Sequence, residues 1–127
     1  MNQRITLLTG VVFAGLAVAI GAFGAHVLRP LLEEHARIET FELAVRYQFY
    51  HAFALLFTGM LMVHFPSRHL NRAGICFAAG ILIFSGSLYI LSLSGIRMLG
   101  AITPIGGVLF ITGWLLLFLG INAKSPG

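Results

Sequence analysis

The chain has 127 residues, 58% of them hydrophobic and 9% charged, with a mean hydropathy of +0.95. Soluble domains carry about 25% charged residues, so this composition excludes a water-soluble fold, whose polar surface would not cover its core. The net charge is +4, but the basic residues are scattered singly, which fits charges flanking membrane spans and excludes a nucleic-acid footprint.

Residues 5–28 contain no Asp, Glu, Lys or Arg. A spanning helix needs about 20 apolar residues, whereas a signal peptide has an apolar core of about 7–15. The run therefore reads as a retained first span. Ala17, Gly21 and Gly24 or Ala25 recur at helical spacing. They offer a small-residue row for close helix packing, or simply reflect the abundance of Gly and Ala in membrane helices.

Arg29-Pro30 ends this span, because proline disfavours helical geometry in the residue before it. Over 31–45, Leu31, His35, Ile38 and Val45 follow helical spacing while Glu33, Glu34 and Arg37 face away. That pattern predicts an amphipathic helix lying on the membrane. All four acidic residues fall here, and Glu33–Arg37 and Glu42–Arg46 have the spacing of favourable i,i+4 pairs.

A second span is expected over about 46–65, ending at Pro66, and a third over 73–94. Ser85, Ser87, Ser92 and Ser94 lie along the third, where hydroxyls bond back to their own carbonyls or to a neighbouring helix. Cys76 is the single cysteine, read as a small buried hydrophobe. After Gly95-Ile96-Arg97 a fourth span is expected over 98–121. Thr103-Pro104 and Gly106-Gly107 predict a distorted or close-packed first turn there, and Trp114 is a mid-span packing residue. The predicted fold class is an all-α integral membrane protein. It is a single domain over 1–127, four transmembrane helices in a bundle with an amphipathic interfacial helix between the first two spans. Both termini then share one side, placed in the cytoplasm on the weight of the N-terminus although Lys and Arg divide evenly.

Antiparallel spans gather His26, Arg46, Gln48, His51, Arg97 and Thr103 in one leaflet, with His51 about 7 Å inside Arg46 at 1.5 Å per residue. Ionisable groups within a membrane face a bundle interior, a cavity or a partner. The set is either a polar vestibule with the amphipathic connector as its lid, or interhelical glue flanked by side chains reaching for headgroups. No metal or cofactor is expected: His26 and His51 lack ligand-motif spacing, and no Gly-rich phosphate loop is present. Catalysis is not expected either, since no embedded acid and no nucleophile–base pairing can be read.

Gly21-Ala22-Phe23-Gly24-Ala25-His26, Tyr47-Gln48-Phe49-Tyr50-His51-Ala52, Thr103-Pro104-Ile105-Gly106-Gly107 and Gly113-Trp114 together resemble, in order and over essentially the whole chain, the YgdD/YwdK family. These are small bacterial inner-membrane proteins of four helices and unknown function, with distant eukaryotic transmembrane relatives. The resemblance implies that architecture and a bacterial cytoplasmic-membrane home, and it brings no activity. The expected function is a non-enzymatic structural or interaction module. The alternative is a small-molecule or lipid-binding protein, or a transporter subunit, using the polar cluster as its site. Expected partners are membrane lipids and a second copy or another membrane protein, with no nucleic acid.

Overall fold

Asn2 starts the first helix by accepting a hydrogen bond from the Ile5 N–H at 2.9 Å, which satisfies one of the donors a helix start leaves free. In the computed structural model, which describes residues 1–123, helix α1 then runs over Gln3–His26. Arg29-Pro30 does not close α1 but opens a short helix α2, Arg29–Glu34, with proline in the first turn, where no N–H is required. Helix α3 is Ile38–Leu61. Ser67 caps α4, Arg68–Gly80, accepting from the His69 N–H at 3.1 Å. The chain passes through a π-helical turn, Ile81–Ser85, straight into α5, Gly86–Ser94. A 3₁₀ turn, Arg97–Ala101, leads to α6, Thr103–Asn122. No strand occurs among the described residues, and Lys124 lies outside them.

The amphipathic helix expected over 31–45 is not one helix. Arg37 N–H bonds to the Leu32 carbonyl at 2.9 Å and Ala36 N–H to that of Glu33 at 3.0 Å. This is the double-bonded C-terminal motif that stops a helix with one left-handed residue. Ala36 is that residue, at φ 54°. Beyond it, residues 38–45 are the first two turns of α3. The break also dissolves the expected Glu33–Arg37 pair. Glu33 instead accepts from Arg29 Nε at 3.1 Å, the only ion pair among the described residues, and Glu42–Arg46 is unformed.

Three helical runs are long and apolar enough to cross a membrane: Gln3–His26, Arg68–Ser94 and Arg97–Asn122. The expected four spans thus reduce to three by this measure. α3 is equally long, at 24 residues, but Arg46, Gln48 and His51 in its middle dilute its hydropathy. α3 nonetheless packs along the whole assembly, with α1 on one flank and α4–α5 on the other, while α6 lies against α4 and the π turn. Within the apolar windows 17% of α1 is buried against 44% of the α4–α5 run, so α1 is the outer helix.

The core is a column of Ala54, Leu55, Leu70, Ala73, Phe77, Ile81, Phe110 and Leu117. Helices approach closely where glycine leaves room. A Cβ on Gly113 would sit 2.7 Å from the Phe77 ring, and one on Gly106 would sit 2.5 Å from the backbone nitrogen of Phe84 in the π turn. The expected small-residue row on α1 is seen too: Ala17 and Gly24 are buried, and Gly24 admits the Phe41 ring. The outward faces carry large exposed apolar side chains such as Val18, Phe57, Leu82, Ile111 and Phe118. So much exposed apolar surface suits contact with lipid chains.

Candidate functional site: a buried polar network on α3

Gln48 and His51 lie three residues apart on α3, and both point into the assembly with 3% and 5% of their surface exposed. Each ties α3 to other helices. Gln48 Nε2 donates to the Phe13 carbonyl of α1 at 2.8 Å. Its Oε1 accepts from the Tyr89 hydroxyl of α5 at 2.6 Å. One amide thus holds three helices.

His51 is held as firmly. The Trp114 indole N–H, which can only donate, points at Nε2 from 3.1 Å. Nε2 must therefore accept, and the ring proton belongs on Nδ1, which donates to the Tyr47 carbonyl at 2.8 Å. This selects the neutral Nδ1–H tautomer. The imidazole stacks on Phe110 with centroids 3.5 Å apart and planes 10° from parallel. Phe77 and Trp114 close on it at 5.8 and 5.9 Å.

Both side chains lie well along α3. α3 begins eight residues before Arg46, so His51 is 13 residues, or about 20 Å, along the helix. Its partner Trp114 and Gln48's partner Phe13 fall near the middles of α6 and α1. The other candidates are not drawn in. His26, Arg46 and Arg97 are exposed. Thr103 is half-buried and bonds to Ser87 at 2.7 Å, stitching the start of α6 to α5. Ser87 gives its own proton to the Phe84 carbonyl at 2.9 Å.

The serines behave as expected for membrane helices. Ser92 donates back to the Leu88 carbonyl, while Ser85 reaches across to the Ala44 carbonyl of α3, each at 2.7 Å. Tyr89 was the network member that sequence reasoning missed. The available signal was a lone tyrosine within an apolar run, since a buried phenol needs a partner. Trp114 was placed mid-span correctly, but its donor role depends on a helix 63 residues away in sequence.

Two openings are found, and only the first reaches the network, at His51. A cleft of about 530 Å³ between α3 and α6 is lined by Tyr47, Tyr50, His51, Gly107, Phe110 and Trp114. A crevice of about 330 Å³ lies between the end of α1, α2 and the start of α3. The latch between connector and bundle is His35, whose Nδ1 lies 3.1 Å from the Ser92 carbonyl. No group of three or more His, Cys, Asp or Glu suited to a metal occurs among the described residues.

Helices throughout the described residues, several of them apolar and of membrane length, tied by a buried polar network, define a class: a small helical membrane protein. Residues 20–107 match the family described as "Protein of unknown function (DUF423)", and the chain belongs to that family. It is 47% identical over 117 residues to a UPF0382 membrane protein of Staphylococcus aureus, covering 92% of this chain and 94% of the relative. A UPF0382 membrane protein of Staphylococcus saprophyticus is 46% identical over 118 residues, covering 93% and 97%. No solved structure matches significantly.

Proposed function

We propose that the protein is a non-enzymatic structural or interaction module of the bacterial cytoplasmic membrane, crossing it four times with α3 as the second span. The observation that carries this reading is that Gln48 Nε2 and Oε1 and both ring nitrogens of His51 are hydrogen-bonded to groups on other turns and helices. A catalytic imidazole needs one nitrogen free to take or give a proton; here Nδ1 bonds to the Tyr47 carbonyl of its own helix and Nε2 to the Trp114 indole of α6. The narrower kinship with YgdD/YwdK proteins, drawn from the Gly21–His26 and Tyr47–Ala52 blocks, is part of the same proposal. So is the cytoplasmic placement of both termini.

Lipid-embedded polar pairs contribute about 0.6 kcal/mol on average and up to about 2. On this reading Gln48→Leu and His51→Leu lower the melting temperature in detergent without abolishing any bound mass. The opposite outcome, unchanged melting with a lost small-molecule adduct, would reject the structural reading.

The cleft beside His51 supports a second reading, a site for a flat apolar ligand among Tyr47, Phe110 and Trp114. Native mass spectrometry of gently extracted protein separates the two. An adduct retained by wild type and lost in His51→Ala supports the binding site.

A further inference from the structure

The crevice between α1, α2 and α3 combines two chemistries that the buried network lacks. Its wall is apolar, formed by the Phe41 ring against the glycine face of Gly21 and Gly24, and its rim carries Arg29, Arg46 and Glu42. Two guanidinium groups against one carboxylate leave that lining net positive. Folding pairs only Arg29, with Glu33 of its own helix. Arg46 has no ion-pair partner among the described residues, although Glu42 stands one turn before it. Arg29 gives Nε to Glu33, which leaves its terminal nitrogens free to donate.

Position adds a third constraint. The crevice lies at the end of α1, a helix long and apolar enough to span, where acyl chains give way to headgroups. A volume of about 330 Å³ is at the lower end of the roughly 300–1,000 Å³ of small-ligand sites. It suits the phosphate–glycerol region of a lipid whose tails continue along the helices. Guanidinium groups match phosphate oxygens in planar, paired hydrogen bonds.

We propose that this crevice holds an anionic glycerophospholipid of the surrounding leaflet, with its phosphate between Arg29 and Arg46 and the root of one acyl chain against Phe41. The proposal rests on the reading of α1 as a membrane span. It does not rest on the Gln48–His51 network, which it leaves intact. The glycines make it possible: Gly24 lets Phe41 fold against α1, and a Cβ at Gly21 would meet only Val45, at 3.4 Å, so that floor stays open.

The test is native mass spectrometry of the full chain in mild detergent with equimolar phosphatidylglycerol, phosphatidylethanolamine and phosphatidylcholine. Wild type should retain phosphatidylglycerol in preference to the other two. Each of Arg29→Ala and Arg46→Ala should reduce that adduct about fivefold, on the scale of one basic side chain at an anionic surface. Arg68→Ala/Arg72→Ala, at the opposite end of the bundle, should leave it unchanged. Gly21→Leu keeps every charge but fills the floor, and should lose the adduct while circular dichroism shows native helix content. Equal loss in the Arg68/Arg72 control, equal retention of all three lipids, or an unaffected Arg29→Ala/Arg46→Ala double variant would each overturn the proposal. Extraction of the chain from membranes by alkaline carbonate would instead reject the spanning reading beneath it.

Discussion

Gln48 shows how much one side chain can decide in an apolar assembly. Its amide nitrogen donates to one helix and its oxygen accepts from another. Replacing it with leucine leaves the buried Tyr89 hydroxyl without its acceptor, and such an orphan costs about 1–3 kcal/mol. Gln48→Leu should therefore lower stability by about 1–2 kcal/mol in reversible denaturation in detergent. Adding Tyr89→Phe should restore part of that loss, because the orphan is then gone; a strictly additive double variant would show that the two groups are uncoupled. Trp114→Phe should cost a comparable amount, about 1–2 kcal/mol, since it leaves the buried Nε2 of His51 without its donor. The presence of polar residues at 48 and 51 was legible in sequence, as was their inward orientation. Their partners were not, because Phe13, Tyr89 and Trp114 are distant in sequence and a carbonyl acceptor leaves no compositional mark.

At the level of the helices, two glycines two turns before the aromatic contact region make a sharp contrast. A Cβ at Gly106 would press into the backbone of Phe84, while one at neighbouring Gly107 would meet nothing within 4 Å. Gly106→Ala should destabilise by about 1–3 kcal/mol through forced separation of α6 from the π turn. Gly107→Ala should be neutral or stabilise by up to about 1 kcal/mol through helix propensity. Thermal melts of the two variants side by side check this. The sequence pointed to Gly106-Gly107 as close-packed but could not say which one is, since that depends on the rotation of α6.

The end of α2 offers a second test. Ala36 holds a left-handed conformation that costs a non-glycine residue about 1–2 kcal/mol. Ala36→Gly relieves that strain but frees the unfolded chain, so a net gain of about 0.5–1 kcal/mol is expected in the same melt. This turn also explains why the connector was misread. Helical spacing from Leu31 to Val45 runs through the break, because the two helices on either side happen to keep apolar positions in phase. No Gly or Pro marks the stop.

Across the molecule, the one ion pair among the described residues is exposed, and Arg46 stands exposed within α3. Three of the four apolar runs expected from sequence are apolar enough to span, and α3 falls short because Arg46, Gln48 and His51 lie within it. A helix can carry such residues through lipid when its neighbours bond them. Fusing a reporter active only in the cytoplasm to either terminus should give signal at both ends. Signal at one end alone would mean an odd number of crossings and would place α3 outside the membrane.

The neighbours of each long helix have a consequence for biogenesis. α1 packs on α3, α3 on α4–α5, and α4–α5 on α6, so α3, α4–α5 and α6 each leave the ribosome with an earlier helix to dock on. No helix need wait for one synthesised much later, and pairings of short sequence separation form fastest. The bonds from Ser85, Tyr89 and Trp114 back to α3 close only when the π turn, α5 and then α6 arrive. The bundle can therefore grow helix by helix at the translocon, with the indole–imidazole bond as its last stitch.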